Sequence, residues 1–270
     1  MIHQPSHPES HGVDFPAMAL DPLLTLTREA GRAILDVYAR DFTVTIKADD
    51  SPVTEADLAS NAIITAGLQR LHPQIPILTE EETAPAYEDR RDWPWLWLID
   101  PLDGTKEFVK RTDEFSINIA LVQGDRPVLG ILYAPAKNLM YFAKTGAGSW
   151  KSDGDNAPVA IRARTARPDR HIDVLGSKTH ASEQFKAYIA ALENQYESMT
   201  LTPAGSAFKF GMMAEGLADL YPRFSPTMEW DTAAGQAILE ESGKQVLVFE
   251  TGEPLAYNRP DLVNPPFLCR

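Results

Sequence analysis

Apolar residues in this chain change their spacing several times, and each change marks an element. Behind Asp21-Pro22, a cap followed by a first helical position, Leu23, Leu24, Ala30, Ile34 and Val37 recur at helical spacing and predict an amphipathic helix to about Arg40. Phe42, Val44 and Ile46 then alternate with threonines, a strand pattern that ends at Lys47. Leu58, Ala62, Ile63, Ala66 and Leu68 return to helical spacing over 56–71. Short apolar runs at 75–78 and 95–99 stop at carboxylates and predict buried strands. Three further strand patterns, 116–122, 128–133 and 139–143, are separated by Gly and Pro turns, as in an antiparallel sheet.

Beyond the Gly- and Asp-rich stretch 152–156 the rhythm becomes strand (173–175), helix (183–192), strand, helix (207–215), strand, helix (232–242) and strand (245–249). The pattern divides the chain into a flexible tail over 1–18, an α+β half over 19–155 and an α/β half over 156–270. His3, His7 and His11 in the tail are spaced as on one helix face, but Pro5 and Pro8 argue against a helix there.

The 270 residues are enough for one large domain or two intimate ones, and 44% apolar with 23% charged residues is an ordinary globular balance. A single cysteine, Cys269, excludes an internal disulfide framework and a Cys-based zinc site, and makes a reducing compartment the simpler expectation. No apolar run reaches the roughly 20 residues that span a bilayer, and no charged-then-apolar leader opens the chain, so a soluble, cytoplasmic protein is expected, free or peripheral on the inner membrane face. The net charge of -13 repels nucleic-acid backbone and disfavours polymeric nucleic acid as a partner. It would also repel a small polyanion unless metal cations reverse the local sign.

Three acidic stations end apolar elements: Glu80-Glu81-Glu82, the string Asp100-Pro101-Leu102-Asp103-Gly104-Thr105, and Glu229-Trp230-Asp231 with Thr232-Ala233-Ala234-Gly235 behind it. Each alone has a plain reading, as a solvated patch, a turn or a helix cap. Together they offer hard oxygen donors of the kind Mg²⁺ prefers. In the central string Pro101 restrains the backbone between two aspartates, and the Leu102 carbonyl lies between them as a further donor. Gly104 allows close approach of a ligand. Thr105 begins a predicted helix over 106–111, where free N–H groups suit phosphate oxygens.

With D-S-P-V-T-E-A-D (50–57), L-T-E-E (78–81), W-L-I-D-P-L-D-G-T-K-E-F (97–108), G-S-A-F-K-F-G (205–211) and Y-P-R-F-S-P-T-M-E-W-D-T-A-A-G (221–235), the chain resembles the lithium-sensitive, magnesium-dependent phosphatase superfamily that includes inositol monophosphatase. Lys-Glu-Phe after D-G-T looks like its branch of 3'(2'),5'-bisphosphate nucleotidases of the bacterial CysQ type. Phe224 stands where inositol phosphatases tend to carry a glutamate. The resemblance implies a layered αβαβα sandwich. It implies one Mg²⁺ held by Glu80, Asp100 and the Leu102 carbonyl, a second held by Asp100, Asp103 and Asp231, and Asp57 ordering water around a weaker third. It further implies that Glu80 and Thr105 orient and deprotonate the attacking water. Gly104 and Thr105 would contact the scissile phosphate, and His180, Ser206, Lys209, Arg223 and Asp231 would face the substrate.

The expected reaction is Mg²⁺-dependent removal of the 3'-phosphate from adenosine 3',5'-bisphosphate or its sulfated analogue, with a link to sulfate assimilation and inhibition by Li⁺. The alternatives are phosphatase action on inositol or another sugar phosphate and, in a different class, a non-catalytic cation-binding acidic protein. A second anionic group on the substrate wants cations, so Lys209→Ala is expected to harm bisphosphate hydrolysis more than that of a simple monoester. Oligomeric state is left open by the sequence.

Overall fold

The computed structural model describes residue 15 and residues 18–47, 52–165, 170–176 and 182–270. Helix α1 (Asp21–Tyr38) leads through a two-stranded antiparallel ribbon, β1 (Val44–Ile46) and β2 (Pro52–Thr54), into helix α2 (Glu55–Leu71). Pro22 opens α1 where a missing N–H costs nothing. Thr54 caps α2: its hydroxyl oxygen accepts from the Ala56 N–H at 3.1 Å, while Asp57 Oδ2 accepts from the Thr54 N–H at 2.8 Å.

Next come β3 (Ile77–Thr79), α3 (Tyr87–Arg90), β4 (Trp95–Asp103), α4 (Thr105–Val109), β5 (Ser116–Gln123), β6 (Arg126–Ala134), β7 (Leu139–Lys144), β8 (Gly148–Asp153) and β9 (Val159–Ile161). The seven strands form one sheet in the order β3-β4-β5-β6-β7-β8-β9, with β3 and β4 parallel and every later neighbour antiparallel. The chain then runs through β10 (His171–Gly176), α5 (Glu183–Glu193), β11 (Ser198–Pro203), α6 (Phe208–Ala214), β12 (Tyr221–Arg223), α7 (Glu229–Ser242), β13 (Val246–Val248) and β14 (Phe267–Cys269). β10 and β11 pair in parallel, and β14 lies between β12 and β13.

Alternation along the strands decides the layers. Trp95, Trp97, Ile99, Ile117, Ile119, Leu121 and Ile131 point to one face, where Leu23, Leu26, Ala30, Ile34, Ile64 and Leu68 of α1 and α2 cover them. Leu96, Leu98, Ala120, Val122 and Leu132 point to the other, against Phe210, Met213, Ile238 and Leu239 of α6 and α7. Leu175, Tyr221, Val246 and Phe267 of the small strands close the far side of those helices. Ile172, Val174 and Leu220 meet Leu192 and the partly buried Tyr188 of α5. The order helix, sheet, helix, strands, helix is an αβαβα sandwich. Each large aliphatic side chain buried in it contributes about 1.5–3 kcal/mol against solvent.

Several boundaries differ from the sequence pattern. β4 does not stop at Ile99 but carries Asp100 and Asp103 as strand residues. α4 is shorter than the predicted 106–111 helix, because Arg111 and Asp113 take left-handed backbone conformations, with φ of 56° and 61°. Phe42 packs on Phe108 at 4.9 Å rather than joining β1. α7 starts at Glu229, which places Asp231 inside its first turn. β8, β9, β14 and α3 have too polar or too short a pattern to be predicted. The division at residue 155 falls in the turn between β8 and β9, adjacent strands of one sheet. Of the tail, 1–14, 16 and 17, with its histidines, lie outside the described residues. Phe15 stacks on Trp95 at 5.7 Å, and Met18 is buried. No helix among the described residues is long and apolar enough to cross a membrane.

Candidate active site

Asp100 on β4 is paired with Asn118 on β5, and the register then shifts before Asp103 meets Ser116, so Pro101 and Leu102 bulge from the ladder. Proline has no N–H to give a neighbouring strand, which suits a bulge. Ser60 of α2 donates to the Pro101 carbonyl at 2.8 Å, and the Leu102 N–H donates to Asp100 Oδ1 at 3.0 Å. Gly104 turns the chain at a φ of 90°, and a Cβ there would stand 2.9 Å from the Glu114 carbonyl oxygen, so glycine is required twice over.

The other acids come from neighbouring elements. The Glu80 N–H donates to the Ile99 carbonyl at 3.2 Å, extending the parallel β3·β4 pairing and setting Glu80 beside Asp100. Asp231 enters from α7, where its Oδ2 accepts from the Met228 N–H at 2.8 Å. Glu80, Asp103, Gly104, Thr105, Ser206, Lys209, Arg223 and Asp231 line one open cavity of about 330 Å³. Asp100 lies behind its wall, 1% exposed.

Burial raises the Asp100 carboxyl well above the usual carboxylate range, and the charges of Glu80, Asp103 and Asp231 push it further. Burial does the same to Asp231, followed by the charge of Asp103. Glu80 and Asp103 are raised as well, again chiefly by burial. Such a group ionises together only with compensating cations. As they stand, no three Asp, Glu, His or Cys side chains among the described residues form a closed metal cage. Glu80 is turned to Lys47, whose Nζ lies 3.3 Å from Glu80 Oε1 and 2.7 Å from Glu81 Oε1. Asp103 Oδ2 accepts from the Ala207 N–H and, at 3.4 Å, from the Ser116 hydroxyl. The available donors are all oxygens, which fits a hard divalent cation.

Asp57 does not line the cavity; it is 1% exposed and serves Thr105. Its Oδ2 accepts from the Thr54 hydroxyl at 2.6 Å, and its Oδ1 accepts from the Thr105 hydroxyl at 3.1 Å. The Thr105 proton is thereby committed to Asp57 and, at 3.3 Å, the Leu102 carbonyl. The lone pairs of Thr105 Oγ1 are left to accept from a molecule in the cavity.

The same cavity is also lined by two cations, Lys209 and Arg223. Lys209 is buried rather than solvated, only 3% exposed, and its ammonium donates to the Ala204 and Ser206 carbonyls at 3.1 and 2.8 Å. Burial, then the nearby Arg223 charge, lowers its pKa to about 8. Arg223 is half-buried, with Nε donating to the Ser225 carbonyl at 3.2 Å. Ser206 holds a left-handed φ of 44°, with its hydroxyl 3.3 Å from that of Ser116. Phe224 leaves no carboxylate at its position and packs on Tyr188 and Phe249, at centroid distances of 5.5 and 4.9 Å. His180 lies outside the described residues. The structure thus gathers Glu80, Asp103, Gly104, Thr105, Ser206, Lys209, Arg223 and Asp231, with Asp100, Leu102 and Asp57 immediately behind.

Sequence reading missed Lys47, Ser116 and Asn118. The last two left a signal: polar residues at alternate positions of the otherwise apolar strand S-I-N-I-A-L-V, hence on one face of it.

Residues 19–266 match the family model of the inositol monophosphatase family. The chain is 46% identical over 252 residues to the 3'(2'),5'-bisphosphate nucleotidase CysQ of Escherichia coli O157:H7, covering 92% of this chain and 98% of that protein. The crystal structure of CysQ from Bacteroides thetaiotaomicron superposes with a TM-score of 0.82 at 40% identity, covering 93% of this chain and 96% of that one. The Thermotoga maritima IMPase superposes with a TM-score of 0.74 at 25% identity, covering 93% and 91%.

Proposed function

The chain belongs to the inositol monophosphatase family, and from that footing we propose that it is a 3'(2'),5'-bisphosphate nucleotidase. It removes the 3'-phosphate of adenosine 3',5'-bisphosphate, consuming water and releasing AMP and phosphate. The observation that carries this reading is a single cavity lined both by the carboxylates of Glu80, Asp103 and Asp231 and by the cations of Lys209 and Arg223. The carboxylates suit a phosphate bound with metal, and the cations suit a second anionic group. Phe224 and its aromatic neighbours offer no carboxylate to a polyol ring, which speaks against an inositol substrate.

The family is metal-dependent, and the ion proposed here is Mg²⁺, in two or three copies. Glu80, Asp100 and the Leu102 carbonyl would hold one, and Asp100, Asp103 and Asp231 another. When bound, such ions neutralise the phosphate charge and acidify water. Thr105, its proton held by Asp57, accepts a hydrogen bond from the attacking water and fixes its orientation, and Glu80 takes the proton. Gly104 and Thr105 hold the scissile phosphate. Ser206 meets the substrate through its hydroxyl, and Lys209 has one N–H left after serving two carbonyls.

Phosphate release from adenosine 3',5'-bisphosphate, inositol monophosphate and fructose bisphosphate, each with and without Mg²⁺, tests the reading. It fails if the bisphosphate nucleotide is a poorer substrate than both sugars. Arg223→Ala is expected to raise KM for the bisphosphate about 10–100-fold, the loss of one charge-assisted contact, with a simple phosphomonoester far less affected. Equal effects on both would remove Arg223 from substrate recognition.

The carboxylates also set a pH dependence. Asp57, Glu80, Asp100, Asp103 and Asp231 all have raised pKa values in the folded chain, and burial pushes Glu229 up to about 7. The folded state therefore binds more protons than the unfolded one above the ordinary carboxylate range, and stability falls as pH rises. In EDTA, Tm should decline from about pH 4.5 to 7, below the region where Lys209 titrates. Mg²⁺ binds the ionised carboxylates, so its stabilisation should grow over the same interval. Parallel pH profiles with and without Mg²⁺ would contradict the cation reading.

A further inference from the structure

Asn118 is fully buried, and its side-chain nitrogen has no hydrogen-bond partner. Facing residues of an antiparallel pair project to one side of the sheet, so Asn118 stands beside Asp100, as Ser116 stands beside Asp103. That side is the one covered by α7, since Leu98, Ala120 and Val122 share a cluster with Ile238. Asn118 Oδ1 lies 3.4 Å from the Ser116 hydroxyl and shares its one proton with Asp103 Oδ2. In the cation-loaded protein, where Asp100 is a carboxylate, exchanging the amide oxygen and nitrogen would set a carbonyl oxygen against it, so this orientation is the favoured one there. The amide's other neighbours on the face are Ala120 along the strand and Leu132 across on β6, and neither side chain can accept a hydrogen bond. Asp100 is the acceptor that the register supplies. One of its oxygens is already taken by the Leu102 N–H, and the other is available.

We propose that Asn118 is a positioning residue whose N–H is reserved for the Asp100 carboxylate of the cation-loaded protein, fixing that carboxylate's orientation toward the ion. This rests on the metal-dependent reading of the site. A buried donor without an acceptor is unfavourable. The acceptor that the register sets beside it is the second oxygen of Asp100. A ligating carboxylate is oriented by such outer hydrogen bonds, and their loss typically weakens metal binding about 10–100-fold.

The test is a Mg²⁺ titration of Tm on the parent and on Asn118→Leu, which removes the donor and keeps the size. The metal-free variant should melt at or above the parent temperature, because an unpaired buried polar group has been deleted. The Mg²⁺ concentration at the half-maximal rise in Tm should increase about tenfold or more. A purely structural role would lower the metal-free Tm and leave that midpoint in place. An unchanged midpoint overturns the proposal, whatever happens to stability. Should Asn118→Leu fail to fold, Asn118→Ala in the same titration gives the same decision. A parent whose Tm ignores Mg²⁺ overturns the metal reading and this inference with it.

Discussion

Asp103→Asn should abolish turnover of adenosine 3',5'-bisphosphate at saturating Mg²⁺ while leaving the fold intact. Asparagine keeps an oxygen that can accept from the Ala207 N–H or the Ser116 hydroxyl, as Asp103 Oδ2 does now. What is lost is one negative charge from the wall that would hold the cations. Metal ions supply several kcal/mol of transition-state charge stabilisation, and each 1.4 kcal/mol is about tenfold in rate, so a fall of about 10³-fold or more is expected. The metal-free variant should melt no lower than the parent, since the charge of Asp103 raises the pKa of both Asp100 and Asp231 and its removal relieves repulsion. Phosphate release and a metal-free melt on the same preparation separate loss of catalysis from loss of fold. Turnover within tenfold of the parent would show that Asp103 holds no essential ion.

How much of this site was legible in the sequence depends on what each residue answers to. D-P-L-D-G-T could be read because its chemistry is local: a restrained bulge, two carboxylates and a glycine that alone fits its place. Glu80 and Asp231 were legible only as partners of that string, since their own surroundings look like an acidic patch and a helix start. Asp57 shows the limit of local reading. Its position in the first turn of a helix would suit exposure, yet it is buried against Thr54 and holds the Thr105 hydroxyl, 48 positions further along the chain. Lys209 could be read as a solvated charge, because nothing nearby in sequence reveals that two carbonyls and Tyr221 enclose it.

The fold divides in the same way. Helices and central strands follow from apolar periodicity, whereas β8, with a polar pattern, and β9, only three residues long, are stabilised by ladder bonds to β7 and to each other. The change in the rhythm of elements near residue 155 falls between β8 and β9, neighbours in the seven-stranded sheet. α6 and α7 lie on the same sheet that the first half builds, and this is how Asp231 from the second half reaches Asp100 and Asp103 from the first.

That shared packing makes Gly130→Val the most damaging single substitution expected away from the cavity. The A-A-G of α7 looks in the sequence like a companion to Asp231, and the structure gives it a steric role. Ala120, Gly130 and Ala143 stand in register across β5, β6 and β7, a row of small residues on which the helix lies. A Cβ on Gly130 would come within 2.2 Å of the Ala234 carbonyl oxygen, a backbone atom that cannot rotate away. Accommodating valine requires α7 to lift from the sheet, and Asp231, three residues earlier in that helix, must move with it. Overpacking of this kind costs about 3 kcal/mol, visible as a lower Tm and an earlier urea midpoint. A displacement of about 1 Å at a reacting centre can cost about 10²-fold in rate, so the folded fraction should also turn over poorly and need more Mg²⁺. Gly130→Ala should show the same pair of effects in milder form. A valine variant with parental Tm and kcat would mean that α7 is free to shift without disturbing the site, and that the close helix–sheet contact does not position Asp231.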